Sequence, residues 1–153
     1  MIDRIRRFKR LLETKELEQG LLQEELGSQE KEKAALEVLT DRLKKEKETA
    51  LASFCRDAAG ASTIRELWMR RSALDHIGEV LDEGERKLAV AAERVDSTRD
   101  RLMHKHREVK TFEVALDDFR NTWRTECLKK EQSLLDDLTA SRSGRAKGRA
   151  DGA

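Results

Sequence analysis

The sequence predicts an all-α protein in which two long helices form an antiparallel coiled-coil hairpin, the second helix being longer than the first. Three observations predict this fold. The 153 residues contain no proline, although about eight would be expected at average usage, and proline is excluded from helix interiors because it removes a hydrogen bond and clashes with the preceding turn. Charged residues make up 41% of the chain, too many for a compact layered core. Finally, apolar residues recur with a heptad period in the second half.

The first helix, predicted over about residues 2–59, has a weak heptad frame. Polar residues such as Lys15 and Thr40 interrupt its apolar core positions. Such positions cost stability and can fix the register of a coiled coil. The apolar members of the frame are Ile5, Phe8, Leu12, Leu22, Leu26, Leu36, Leu43, Ala50 and Phe54.

A turn is predicted at about residues 60–63. Gly60 can take the left-handed conformation that ends a helix. Thr63 and Glu66 have the spacing of a capping box, which begins the next helix. Because the turn has only about four residues, the two helices are expected to run antiparallel.

The second helix, predicted over about residues 64–140, has the strongest pattern in the sequence. Apolar residues recur at every seventh position, which indicates a coiled-coil seam. The second core position is looser and includes Gly84, Thr98 and Lys105. The seam residues are Leu67, Leu74, Leu81, Leu88, Val95, Leu102, Val109, Leu116 and Trp123.

Counting outward from the turn gives the expected register, in which Leu26 faces Val95 and Ile5 faces Leu116. The second helix then extends beyond the first by about 20 residues, or about 30 Å. An apolar stripe on this overhang has no expected partner within the chain and indicates a docking surface. Its members are Trp123, Cys127, Leu134 and Leu138.

The net charge is +1, but it is unevenly distributed, because both ends of the chain are basic. Residues 1–10 have a net charge of +4 and residues 141–153 have +3, so the middle of the chain is acidic. Basic ends on an acidic shaft suggest partners that bind at the ends. We assign residues 1–140 to one hairpin domain and residues 141–153, which are small and basic, to a tail expected to be disordered in isolation.

The sequence contains no phosphate-binding loop, nucleophile elbow or metalloprotease motif, so we predict no enzymatic activity, cofactor or metal. Neighbouring carboxylates such as Asp117 and Asp118 diverge on a helix and do not share a concave site. Cys55 and Cys127 fit no disulfide or metal pattern and indicate free thiols in a reducing cytosol. Uncharged stretches are far shorter than a membrane span, which needs about 17–25 residues. The acidic middle of the chain disfavours nucleic-acid binding.

The N-terminal segment MIDRIRRFKRLL, the absence of proline and the longer second helix resemble the FliJ/YscO family of bacterial type III secretion and flagellar export systems. The resemblance implies a cytoplasmic stalk at the base of the apparatus. Members of the family insert the open end of the hairpin into a hexameric export ATPase and promote its assembly and activity. They also connect it to the cytoplasmic domain of an export-gate membrane protein, and some bind export chaperones. The resemblance implies no insertion into the membrane.

Carried onto this sequence, the resemblance places the ATPase contact at the open end and the gate contact at the tip, about residues 56–66. A monomeric hairpin is expected, but two alternatives stay open. One is a self-associating coiled-coil scaffold whose dimer buries the apolar stripe, and the other is a secretion chaperone or holdase that grips client helices. The candidate residues at the ATPase end are Arg4, Arg6, Arg7, Lys9, Arg10, Phe119, Trp123, Leu134 and Leu138; those at the tip are Arg56, Asp57, Arg65 and Glu66.

Overall fold

The computed structural model describes residues 1–60 and 63–150, which form two helices. The first helix, α1, spans Ile2–Ala58, and the second, α2, spans Ile64–Ala150. No strand occurs among the described residues. The predicted all-α class, with a second helix longer than the first, is confirmed.

The described residues pack as two units, each of which contains part of both helices. Unit 1 comprises residues 1–18 and 105–150, and unit 2 comprises residues 19–104.

In unit 2 the two helices run antiparallel as a hairpin. Ion pairs join Lys44 to Glu85 (3.4 Å) and Arg99 to Glu30 (2.9 Å), so residue numbers fall along α1 as they rise along α2. The antiparallel pairing expected from the short turn is therefore confirmed in this unit. Its buried core residues are Leu22, Thr40, Leu81, Ala91, Val95 and Thr98.

In unit 1 the first residues of α1 pack against the second half of α2. Val109 and Leu116, both on the predicted seam, are only 4% and 3% exposed. Trp123, the next seam residue, is 39% exposed. The first residues of α1 lie beside Trp123 and cover only part of its side chain.

The register in unit 2 differs from the prediction. Counting from the turn places Asp82 opposite Thr40, but Thr40 lies beside Gly84, two residues further along α2. Thr40 packs against Gly84, and a Cβ at Gly84 would lie 3.7 Å from Thr40 Oγ1, an ordinary van der Waals distance. Counting from the turn does not include how the side chains of the two helices interlock.

The chain leaves α1 without a left-handed glycine. No glycine among the described residues has a positive φ, so the left-handed conformation predicted for Gly60 is wrong. Instead, the Gly60 N–H donates a hydrogen bond to the carbonyl oxygen of Asp57 (3.2 Å). This tight turn over three residues ends the helix with ordinary backbone angles.

The start of α2 has the Thr63 half of the predicted capping box. The Glu66 N–H donates a hydrogen bond to Thr63 Oγ1 (3.3 Å), which satisfies one of the unpaired donors of the first turn. The middle of the predicted turn, residues 61 and 62, lies outside the described residues.

The second helix continues past its predicted end. The sequence placed the boundary near residue 140, whereas α2 ends at Ala150. Alanine and arginine recur in this segment and have high helix propensity, and no proline interrupts it. All side chains of residues 131–149 are exposed. The disorder expected for residues 141–153 in isolation stays a prediction, and residues 151–153 lie outside the described residues.

We expect Gly27→Ala and Gly84→Ala each to raise the free energy of unfolding by about 1 kcal/mol, because alanine is favoured over glycine in helix interiors by that amount. A Cβ at Gly27 would meet no heavy atom within 4 Å. At Gly84 it would meet Thr40 Oγ1 at 3.7 Å and Leu43 Cδ1 at 3.9 Å, which are ordinary van der Waals distances. Urea unfolding followed by circular dichroism measures both variants. Destabilisation by Gly84→Ala alone would show that the helices require a closer approach at Thr40.

Candidate partner-binding site

An aromatic cluster joins the two helices of unit 1. The ring centroid of Phe8 lies 5.9 Å from that of Phe112 and 4.8 Å from that of Phe119, the latter edge to face. The guanidinium carbon of Arg4 lies 5.2 Å from the centroid of Phe119. Contacts of this kind contribute about 0.5–1.5 kcal/mol each. The structure therefore holds Arg4 and Phe119, both predicted docking residues, against each other.

The other basic residues of the N-terminal segment are exposed on the first turns of α1. Arg6, Arg7 and Arg10 are exposed, and Lys9 lies 4.0 Å from Glu13 in an exposed pair. These side chains lie beyond the first turn of α1, so the helix dipole has little effect on them. Their predicted role in partner binding stays a prediction.

A shallow groove lies between Trp123 and the start of α1. The prediction that Trp123 and Cys127 lack neighbours within the chain is wrong, because the first three residues lie beside them. Trp123 nevertheless keeps 39% of its surface exposed. The groove has a volume of about 310 Å³ and is lined by Met1, Ile2, Asp3, Trp123, Glu126, Cys127 and Lys130.

Exposed leucines follow the groove along α2. Leu134 and Leu138, both predicted, are 63% and 58% exposed. The heptad analysis missed Leu128 and Leu135, which are similarly exposed. Leu128 and Leu135 are seven residues apart, each one position after a member of the predicted stripe, and a search for this second heptad repeat would have identified them. At 100° per residue the four leucines cover about 120° of the helix surface, a wider face than the predicted stripe.

An ion network lies between the helices of unit 1. Lys105 Nζ donates hydrogen bonds to Glu18 Oε2 (2.7 Å) and Glu108 Oε2 (3.0 Å). Lys15 lies 3.4 Å from Glu108 and 3.6 Å from Glu18. Only 18% of the Lys105 side chain is exposed, so a lysine at a core position keeps its charge through these contacts.

The network shifts the pKa values of its members. The hydrogen bond from Lys105 lowers the pKa of Glu18 and of Glu108 below the usual value of 4.5, and it outweighs the opposing effect of burial. The two carboxylates in turn raise the pKa of Lys105. The charged forms of all three groups are therefore favoured in the folded chain.

We expect the folded chain to lose stability as the pH falls below about 4.5. A carboxylate whose pKa is lower in the folded than in the unfolded chain contributes stability above its unfolded pKa, and this is lost as the pH falls through the folded pKa. Glu18 and Glu108 are of this kind. Lys105→Met removes the main cause of both shifts and is expected to make the pH dependence shallower. Thermal unfolding between about pH 3 and pH 7 compares the two proteins, and equal slopes would contradict this assignment.

The predicted tip residues lie where α1 ends and α2 begins, within unit 2. Asp57 forms an ion pair with Arg70 across the two helices, and the backbone of Glu66 makes the N-cap hydrogen bond. Arg56 and Arg65 are exposed. Asp57 and Glu66 therefore have structural contacts, and their predicted role at the gate stays a prediction like that of the two arginines.

Apolar side chains near the tip were missed by the sequence analysis. Ile64, Trp68 and Met69 are 87%, 68% and 60% exposed, although Trp68 directly follows the seam residue Leu67. They escape a heptad search because they lie outside its core positions. Exposed apolar clusters mark interaction surfaces. A groove of about 640 Å³ also lies in unit 2, and its lining includes Leu51, Phe54, Leu74, Arg71 and Asp75.

The structure offers no metal site in the part of the chain that it describes, since no three His, Cys, Asp or Glu side chains are grouped to hold an ion. Within the same residues, neither helix has a segment long and apolar enough to cross a membrane. Cys55 and Cys127 are free thiols, as predicted, the first exposed and the second half-buried.

Comparison with known proteins places the chain in a family. The sequence matches the family described as flagellar FliJ protein over residues 4–148, nearly its whole length. No curated protein and no solved structure gives a match. The matched range includes the aromatic cluster, the exposed leucines and the tip, and it confirms the resemblance drawn from the sequence. The chain belongs to the flagellar FliJ protein family.

Proposed function

We propose that this chain is a non-enzymatic stalk protein of a flagellar or type III export apparatus, located in the cytoplasm at the base of that apparatus. Unit 1 inserts into the central pore of a hexameric export ATPase and promotes assembly and activity of the ring. Membership of the FliJ family supports the association with an export apparatus. The surface of unit 1 supports the ATPase contact.

One observation carries the proposal: unit 1 combines a fixed cation with exposed apolar side chains. Arg4 is held over Phe119, and Trp123 keeps 39% of its surface exposed. Leu134 and Leu138 are about 60% exposed further along the same helix. Tryptophan and arginine are the commonest energetic anchors of protein interfaces. A pore surrounds a shaft and would cover these side chains together, as well as the adjoining leucines.

The tip is the proposed contact with the cytoplasmic domain of the export-gate membrane protein. Exposed Ile64 and Trp68 supply apolar surface there, and Arg56 and Arg65 supply charge. A surface of this composition, apolar with a charged rim, is typical of protein interfaces. Export chaperones are further proposed partners.

The two tryptophans provide a matched test of which unit binds which partner. We expect Trp123→Ala to weaken binding to the purified export ATPase at least about tenfold, because truncation of an aromatic anchor costs more than about 1.4 kcal/mol. Trp68→Ala is expected to leave ATPase binding unchanged and to weaken binding to the gate domain instead. Fluorescence anisotropy of the labelled full-length chain measures both affinities. Loss of ATPase binding in Trp68→Ala, with Trp123→Ala unaffected, would reverse the assignment of the two ends.

Sedimentation and ATP hydrolysis distinguish a stalk from the alternatives. We expect ring formation and hydrolysis to reach a maximum at about one chain per ATPase ring, because one shaft fills one pore. If the chain instead sediments as a dimer and leaves the ATPase unchanged at low salt, it is a self-associating scaffold. Binding to unfolded clients in the absence of any ring would support a holdase.

A further inference from the structure

The leucine stripe of α2 continues directly into arginines. Leu134, Leu138, Arg142, Arg145 and Arg149 follow one another at spacings of three or four residues, so they share one side of a helix with 3.6 residues per turn. All five side chains are exposed. We call this side, residues 134–149, the leucine-arginine face.

The leucine-arginine face differs in charge from the other sides of α2. Counting 100° per residue along α2, Lys129, Asp136 and Lys147 point away from the face, and Asp137 lies about 100° from its centre. Among the described residues after Glu131, the face itself has no acidic side chain. All cations on it are arginines, whose planar guanidinium binds carboxylates in bidentate pairs. The face is therefore complementary to a surface that is first apolar and then acidic.

We propose that the leucine-arginine face binds a groove of a partner protein that is apolar opposite the leucines and lined by carboxylates opposite the arginines. The inference rests on the proposed function, in which this partner is the export ATPase, and it adds the position of the acidic groups. At 1.5 Å per residue, Arg142 lies about 12 Å and Arg149 about 22 Å beyond Leu134. The carboxylates are expected at these distances from the apolar part of the groove.

Two other occupants fit the face less well. An anionic membrane would attract the three arginines, but only two leucines of this face would enter the bilayer, and Glu131 beside them would be repelled. A second copy in parallel would place arginine against arginine. Two single helices side by side over about 30 Å also bury less than the roughly 1,200 Å² of a stable interface. A groove that encloses the helix has neither disadvantage.

The test compares two charge-reversal variants of the full-length chain with the same net charge. Arg145→Glu with Arg149→Glu changes the leucine-arginine face, and Lys129→Glu with Lys147→Glu changes the opposite side. Binding to the purified export ATPase is measured by anisotropy over a range of salt concentrations. We expect the arginine variant to bind at least about tenfold more weakly at low salt, with a smaller salt dependence. The lysine variant is expected to bind like the wild type.

A spacing variant tests the position of the arginines separately from their charge. Insertion of seven alanine and glutamine residues between Ala140 and Ser141 keeps the arginines on the same side of the helix and moves them about 10 Å along it. We expect this insertion to weaken binding as much as the charge reversal does. Circular dichroism checks that the helix content of every variant is maintained.

The outcomes separate this inference from the proposed function. If the wild type binds the ATPase and the arginine variant binds equally well at low salt, the inference is overturned and the proposed function stands. If the wild type does not bind the ATPase at all, both fail, and the variants are compared on vesicles of phosphatidylcholine with phosphatidylglycerol and by sedimentation of the chain alone. Selective loss of vesicle binding or of self-association in the arginine variant would assign the face to lipid or to a second copy and overturn the inference.

Discussion

Val95→Asp is expected to unfold the hairpin of unit 2. Val95 lies on the seam of α2 and is completely buried, at 0% exposure. An aspartate there would place a carboxylate among apolar side chains without a partner, which we expect to lower the free energy of unfolding by at least about 4 kcal/mol. That loss is most of the stability of a domain at the lower end of the usual range of about 5–15 kcal/mol. Thermal unfolding followed by circular dichroism measures it.

Val90 provides the matched control for this prediction. It is the same residue type on the same helix, but it is 49% exposed. We expect Val90→Asp to change the free energy of unfolding by less than about 0.5 kcal/mol. Equal stability of the two variants would show that the seam does not pass through Val95.

Reversal of Arg4, Arg6 and Arg7 to glutamate is expected to lower the association rate with the export ATPase by about a hundredfold at low salt. The proposed contact would set these cations against an acidic pore mouth, so the change would replace attraction with repulsion, and it also removes the cation of Arg4 from Phe119. The effect should diminish as salt rises, because salt screens charges that are exposed to solvent. Stopped-flow mixing at several salt concentrations measures the rate, and circular dichroism checks that the helix content is unchanged.

A triple variant in unit 2 controls for the change in net charge. Lys31, Arg42 and Lys45 are exposed, and their replacement by glutamate changes the charge of the chain by the same amount. We expect this variant to associate at nearly the wild-type rate. An equal loss in both triple variants would mean that overall charge governs association, and it would exclude the N-terminal segment as a specific contact.

The fold was largely predictable because the heptad pattern is regular. The seam residues Leu81, Val95, Val109 and Leu116 are all buried, as their spacing predicts. Trp123 has the same heptad position but is partly exposed, because α1 does not extend beside all of its surface. A sequence repeat shows which face of a helix packs, whereas the extent of the packing depends on the length of the neighbouring helix.

The details of the pairing could not be predicted from local patterns. The contact between Gly84 and Thr40 depends on how two distant segments pack, and the turn that follows α1 depends on a backbone hydrogen bond from Gly60 rather than on a left-handed glycine. Composition pointed to the basic N-terminus. It did not reveal that Arg4 is held by Phe119, because that contact requires the two helices to be in a particular register.

The exposure of α2 beyond Lys130 has a consequence for the exchange of its amide hydrogens. Every side chain of residues 131–149 is exposed, so no packing supports the backbone hydrogen bonds there. The segment depends on helix propensity alone, which Gly144 and Gly148 lower, so it opens at little cost in free energy and its amides exchange rapidly with deuterium. A partner that encloses the leucine-arginine face would slow this exchange. The protected amides would then record, residue by residue, how far the helix enters its partner.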